Sequence, residues 1–322
     1  MSISRRDLLK GAAVAGAATV LVGDAEAREA VPNRPEALGM LFDASLCVGC
    51  RACQSACKVA NKLPADRVSA GGGEYDAPSD LNGNTKNVIK ALPVKAADGA
   101  EQNLYMKQQC MHCVDPSCVS VCMMGALHKE GEGKRPVPGT VEVKGTGVVL
   151  YDKGLCVGCR YCQIGCAFNV PRFEWFDPLP LIVKCELCRH RGSAEKTGPL
   201  ALANPACCEV CPREAVIFGY REQLLAEAKR RVAAKPAAYN PHIYGEKDGG
   251  GTQVLYLAPK GVGFDALGLP LLEEESQAHF SEKVSHAPYL HGITPVALYA
   301  GMAALIWRNK KKEDAGEHGE GK

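Results

Sequence analysis

Leu46–Cys57 reads LCVGCRACQSAC, and Leu155–Cys166 reads LCVGCRYCQIGC. Nine of the twelve positions are identical, and an aromatic–Asp pair precedes each copy, Phe42-Asp43 and Tyr151-Asp152. C-x2-C-x2-C places three thiolates on one short, tightly curved loop, and a fourth Cys three residues later opens a helix. That spacing suits a cubane iron–sulfur cluster. It overfills a zinc knuckle, which takes C-x2-C pairs. The loops also carry small residues (Gly49, Ala52, Ala56, Gly158, Gly165) that let backbone N–H groups approach sulfur.

Two further groups stand outside this pair, Cys110, Cys113, Cys118, Cys122 and Cys185, Cys188, Cys207, Cys211. Their ends match more weakly, as DPSCVSVC (Asp115–Cys122) and NPACCEVC (Asn204–Cys211). With Cys47, Cys50, Cys53, Cys57 and Cys156, Cys159, Cys162, Cys166 the order is A-B-A′-B′, the mark of a duplicated two-cluster unit. Sixteen thiolates supply four [4Fe–4S] clusters at four ligands each, which reads as a wire for single electrons. The last group, C-x2-C then C-x3-C after eighteen residues, also suits a zinc ribbon taken alone. Disulfides are the other rival, but these loops are poorly shaped for bridging and the 17 cysteines are odd in number. Cys208 breaks the C-x3-C ending shared by the other groups, so it reads as a small buried hydrophobe beside the ligand Cys207.

Arg51, Lys58, Lys107, Arg160, Lys184 and Arg189 lie near the cysteines, where cations offset an anionic cluster or face solvent as ordinary surface. His112 and His190 lie beside cysteine loops and read as supporting or surface groups, because sixteen Cys fill the ligand positions. No arrangement of nucleophile, base and oxyanion donor stands out, so no catalytic residue is expected.

SRRDLLK (Ser4–Lys10), an apolar Ala/Gly-rich stretch and Ala25-Glu26-Ala27 have the layout of a twin-arginine signal peptide over 1–27. That route carries folded proteins, so clusters can be assembled in the reducing cytoplasm before export. Tyr289–Trp307 is apolar, with Arg308 and Lys310–Lys312 immediately after it, and reads as a transmembrane anchor over 288–308 with a charged, disordered tail over 309–322 on the cytoplasmic side. The expected fold is α+β: two ferredoxin-like [4Fe–4S] domains over 28–220, loop-rich with 34 Gly and 20 Pro, a C-terminal extension over 221–287, and the C-terminal transmembrane helix. A net charge of +2 points away from nucleic-acid binding and toward a fixed partner rather than diffusive docking.

Between the motifs, Ser69–Lys86 reads as a surface loop and Val141–Tyr151 as a hairpin about Gly-Thr-Gly. Ala215–Tyr220 reads as a strand and Glu222–Ala234 as a helix stopped by Pro236. Gly249-Gly250-Gly251 reads as a turn before the apolar run Val254–Leu257, without the strand–helix context of a phosphate loop.

With LGMLFDASLCVGCRAC, KQQCMHCVDPSCVSVC, KCELC, EVCPREAVIFG and YGEKDGGGTQVL in view, the chain resembles the ferredoxin-type electron-transfer subunit of hydrogenase-2 operons. That group lies within the four-cluster subunits found with DMSO reductases and formate dehydrogenases. The resemblance implies one domain from the second and third groups and another from the first and fourth. It implies four crossed ligand sets: Cys47, Cys50, Cys53 with Cys211; Cys185, Cys188, Cys207 with Cys57; Cys110, Cys113, Cys118 with Cys166; and Cys156, Cys159, Cys162 with Cys122. It implies as partners the small and large subunits of a [NiFe] hydrogenase and an integral membrane quinone-reactive subunit, on the periplasmic side of the cytoplasmic membrane. The alternative partner is the catalytic subunit of a molybdopterin oxidoreductase. Ferredoxin groups often place Pro after the last Cys; only Pro212 keeps it, with Met123 and Ala167 elsewhere, which puts the turn after those cysteines in question.

Overall fold

The computed structural model describes residues 31–65, 78–95, 101–130, 145–173, 180–191, 203–282 and 293–317. The organising strand is β1 (Leu38–Asp43), buried along its whole length. It pairs antiparallel with β8 (Val216–Tyr220) and parallel with β9 (Val254–Leu257), in the order β8-β1-β9. Side chains alternate across such a sheet. Leu38, Met40 and Phe42 of β1 and Val254 and Tyr256 of β9 therefore enter the main core. Leu41, Leu255 and Leu257 enter a smaller core with Leu224 and Ala228 of α5 (Arg221–Ala234). Burial on both faces explains why LGMLF and VLYL are continuous apolar runs rather than alternating ones. Gly39 is required here, since a Cβ would stand 2.1 Å from the carbonyl oxygen of Gln253.

The remaining elements are short. A ribbon of β2 (Asn87–Lys95) and β3 (Glu101–Gln109) runs antiparallel in full register, with Pro93 opposite Asn103. Two small pairs complete the sheets: β4 (Leu127–Lys129) with β5 (Val149–Tyr151), and β6 (Arg172–Phe173) with β7 (Ile182–Val183). The cysteine-bearing helices are α1 (Ala52–Asn61), α2 (Ser117–Ser120), α3 (Tyr161–Ile164) and α4 (Ala206–Glu209). Helix α1 packs on α4, and α2 on α3.

Residues Ala30–Ala278 form one compact unit, so residues 221–278 fold with the cysteine-bearing region. The expected strand over Ala215–Tyr220 and helix over Glu222–Ala234 are present as β8 and α5. The hairpin expected over Val141–Tyr151 falls only partly within the described residues. Residues 141–144 lie outside the described residues, and Val149–Tyr151 pairs with Leu127–Lys129. Of the expected loop over Ser69–Lys86, residues 69–77 lie outside the described residues, and Asn82 and Thr85 form an isolated bridge.

The C-terminal transmembrane helix is not borne out. Among the described residues no helix is long and apolar enough to cross a membrane. Helix α6 (Ile293–Glu317) has only fifteen residues before Arg308, and its polar end continues through Lys310, Lys311, Lys312, Glu313 and Asp314. At about 1.5 Å per residue that apolar part reaches ~22 Å, short of the ~30 Å hydrocarbon core. Residues 313–317, expected as disordered tail, continue this helix. The expected signal peptide over 1–27 lies outside the described residues.

One buried ion pair joins distant parts of the main unit. Arg189 donates from Nη2 to Glu130 Oε1 at 2.5 Å and from Nε to Oε2 at 3.1 Å, and Thr146 Oγ1 also donates to this carboxylate. Both charged side chains are nearly inaccessible, at 1% and 5% exposure. Removing one partner strands the other without water. Glu130→Ala is therefore expected to destabilise the folded protein by about 3–5 kcal/mol, read as a lowered thermal unfolding midpoint of the anaerobically purified protein.

Candidate iron–sulfur site

None of the seventeen cysteines is joined in a disulfide. The four C-x2-C loops make the same turn. The residue two positions after each first Cys has left-handed backbone: Gly49 (φ 70°), His112 (φ 47°), Gly158 (φ 70°) and Leu187 (φ 49°). This conformation turns its N–H back on the first sulfur. Gly158 donates to Cys156 Sγ and Leu187 to Cys185 Sγ, both at 3.4 Å. Gly49 and His112 donate in the same way to Cys47 and Cys110. Glycine adopts this conformation freely, whereas His112 and Leu187 hold it at a conformational cost. Gly49 has a second reason, since a Cβ would stand 2.3 Å from the Tyr105 ring.

A second turn repeats after the last cysteines. Gly125, Asn169 and Glu214, again left-handed, donate to the carbonyls of Cys122, Cys166 and Cys211 at 2.9, 3.0 and 3.2 Å. It forms after Met123 and Ala167 as well as after Pro212, so the missing prolines do not prevent it. The aromatic–Asp pairs also gain a role. Asp43 Oδ1 accepts from the N–H of Ser45 at 3.0 Å, and Asp152 Oδ1 from that of Gly154 at 2.8 Å. Asp43 N–H donates to Ala215 O, and Asp152 N–H to Ala126 O, both at 2.8 Å. The duplication thus ties the first loop to the segment after Cys211, and the third loop to the segment after Cys122.

The cysteines gather accordingly. Cys47, Cys50, Cys53 and Cys211 line one cavity. Cys122, Cys156, Cys159 and Cys162 line another. Cys118 is within electrostatic reach of Cys110, Cys113 and Cys166. Cys188 is within reach of Cys185, Cys207 and Cys57. Among the described residues, no three Cys, His, Asp or Glu side chains close on the position of a single metal ion. The donor set, all thiol with N–H groups turned onto sulfur, suits iron–sulfur clusters.

Burial raises most of these thiols, because a thiolate loses hydration in the interior. Cys53, Cys162 and Cys188 rise to about 12, and Cys57 and Cys110 to about 11, in each case chiefly by burial. Cys207 is the exception: a hydrogen bond from Cys208 draws it down to about 6. Cys208 is half-buried against the main core, so it packs as expected and also touches Cys207.

The cations separate into two kinds. Lys107, Lys184 and Arg189 are buried. Arg51 donates to Gln54 Oε1 at 2.9 Å, Lys58 donates to the carbonyls of Pro64 and Asn84 at 2.9 and 2.7 Å, and Arg160 lies 5.8 Å from the centre of the Phe173 ring. Lys129 went unnoticed in the sequence, yet its buried ammonium donates to the carbonyls of Cys113 and Val114 at 2.9 and 2.7 Å. His112 is wholly buried and accepts the Val149 N–H at Nδ1, 3.1 Å, so its proton sits at Nε2. Burial first, then Lys184 and Lys129, hold it well below the ordinary imidazole range, and therefore neutral. His190 is exposed, with Nε2 2.8 Å from Ala60 O.

The YGEKDGGGTQVL stretch clamps the second loop. Gln253 N–H donates to Met111 O at 3.2 Å, and Val114 N–H donates to Gly251 O at 3.0 Å. Gln253 Nε2 donates to the carbonyls of Leu38 and Thr146 at 2.5 and 2.6 Å. Arg221 holds the stretch from behind, with Nε donating to Thr252 O at 2.7 Å and Nη2 to Gly245 O at 3.0 Å.

Comparison with known proteins agrees with this geometry. Residues 101–221 match the 4Fe-4S dicluster domain family, and residues 2–22 the twin-arginine translocation pathway signal sequence, which supports export. The hydrogenase-2 operon protein HybA of Escherichia coli O157:H7 is 38% identical over 338 residues, spanning 97% of both proteins. The chain belongs to the HybA family. The formate dehydrogenase iron-sulfur subunit of Haemophilus influenzae is 34% identical over 222 residues, 68% of this chain and 64% of its own length. The nitrate-inducible formate dehydrogenase iron-sulfur subunit of Escherichia coli K12 is 34% identical over 219 residues, 67% of this chain and 66% of its own. The likeness to HybA therefore runs further along the chain than the likeness to the dehydrogenase subunits.

Gly49→Val places a side chain against the Tyr105 ring in a left-handed turn. It is expected to lose the iron of one cluster while the protein retains the rest, measured as iron and acid-labile sulfide per chain.

Proposed function

We propose that this chain holds four [4Fe–4S] clusters on the crossed cysteine sets and relays electrons between a periplasmic [NiFe] hydrogenase and a membrane quinone-reactive subunit, without catalytic residues of its own. The observation that carries this reading is that the quartets adjoin in a single order. Cys122, Cys156, Cys159, Cys162 come first, and Cys110, Cys113, Cys118, Cys166 adjoin them through the packed helices α2 and α3. The next set is Cys57, Cys185, Cys188, Cys207, with Cys110 and Cys185 within electrostatic reach of each other. Cys47, Cys50, Cys53, Cys211 come last, with Cys53 in reach of Cys207. Each cluster, when bound, supplies a one-electron oxidation–reduction. The protein's part is to bury the middle of the row and open its ends.

Cys50 and Cys159, one in each outer quartet, are the two exposed cysteines. Their surroundings differ. Around Cys159, Met123, Met124, Val157, Tyr161 and Ile164 are exposed, with Ile164 at 83%. An apolar patch of this kind marks an interaction surface. It suits the quinone-reactive membrane subunit. The cavity at the Cys50 end is lined by Val48, Arg51 and Arg213, and this second opening is left for the hydrogenase. The full-length likeness to HybA favours a hydrogenase partner over a molybdopterin subunit.

Cys113→Ser tests the relay. In the assembled complex it is expected to abolish electron transfer to quinone while leaving the hydrogenase reaction with artificial dyes intact. Unchanged quinone reduction by a stably assembled variant overturns the proposal.

A further inference from the structure

Lys107 and Lys184 are 1% and 2% exposed, and among the described residues neither has a carboxylate within ion-pair distance. A buried ammonium without a counter-ion is costly. Neutral acceptors meet part of that cost. Lys107 Nζ donates to Gln109 Oε1, and Lys184 Nζ donates to Val149 O at 2.5 Å and Cys185 O at 3.1 Å. The remaining negative charge around them is sulfur.

Each lysine faces sulfur from two quartets. Lys107 lines the cavity of Cys47, Cys50, Cys53 and Cys211, and also acts on Cys57, Cys185 and Cys207 of the neighbouring set. Lys184 acts on Cys110, Cys118 and Cys166 of one set and Cys185 of the next. Its bond to Val149 O matters too, because the N–H of that same residue binds His112 in the Cys110 loop. Val149 thus fixes the ammonium between the two central quartets.

We propose that Lys107 and Lys184 are shared counter-charges, each raising the reduction potential of two adjacent clusters and together leaving the Cys122, Cys156, Cys159, Cys162 cluster untouched. A fixed positive charge in a low-dielectric interior favours the arriving electron. The Cys57, Cys185, Cys188, Cys207 cluster feels both lysines. It becomes the well of the row, toward which an electron entering from either end is drawn. Both are positioning residues that act through the field, and neither transfers an electron itself.

The inference rests on the four-cluster reading, and a redox titration of the purified complex followed by EPR separates the two. Beyond the signals of the hydrogenase isolated without this subunit, the unaltered complex is expected to show four further one-electron transitions; fewer removes the four-cluster reading and this inference with it. Lys107→Met is expected to move two transitions to more negative potential, and Lys184→Met two, with one in common and one moved by neither. Lys107→Arg and Lys184→Arg, which keep the charge, are expected to stay near the unaltered values. Should Lys107→Met lose iron, Gln109→Glu keeps the lysine but sets a carboxylate beside it, and is expected to lower the same two transitions. No shift, a uniform shift of all four, or two pairs without a common member overturns the proposal.

Discussion

Much of the sulfur that must carry negative charge sits in the interior, and the rest of the structure answers that constraint. Burial first, and neighbouring sulfur after it, drives Cys53, Cys110 and Cys162 above the ordinary thiol range. Three devices oppose it. Left-handed turns aim backbone N–H groups at the first sulfur of every loop. Buried lysines supply charge. Bound iron replaces the proton outright, which couples metal binding to folding. Four of these cysteines, Cys53, Cys110, Cys185 and Cys207, are members of the main core. The iron–sulfur sites are therefore part of what the core is built from, rather than attachments to its surface.

The duplication explains how so loop-rich a chain holds its shape. Each first-type loop is tied through its preceding Asp to the segment after a distant last cysteine, Asp43 to Ala215 and Asp152 to Ala126. These bonds cross-link segments far apart in sequence where regular secondary structure is scarce. Residues 221–278 then act as a brace. Strand β9 lies beside β1, and the stretch before it grips the Cys110–Val114 loop through its backbone. A segment that looked like an appendage is thus a wall of the second cysteine loop.

Charge and exposure are graded along the row. Its outer quartets each open one cysteine to the surface, while the inner ones lie among buried lysines. The two openings are separate, each at its own exposed cysteine. Directionality in such a chain needs no moving part, only an unequal distribution of fixed charge.

The cysteine spacing and the repeat were enough to read the cofactor class, SRRDLLK the export signal, and local composition the two elements Val216–Tyr220 and Arg221–Ala234, because these depend on local chemistry and short-range periodicity. Gly49 and Gly158 also announced their turn. His112 and Leu187 did not, since tertiary packing holds them left-handed against their own preference. The pairing of Val149–Tyr151 with Leu127–Lys129 was invisible because strands so far apart in sequence leave no local signal of their pairing. The apolar run before Arg308 suggested a membrane span, and the helix it joined proved too short in its apolar part. Which of six nearby cations became interior charges was decided only by the fold. A lysine reads the same in sequence whether its ammonium meets water or sulfur, and only the packing of β3 and the Cys185 loop against the quartets settles which.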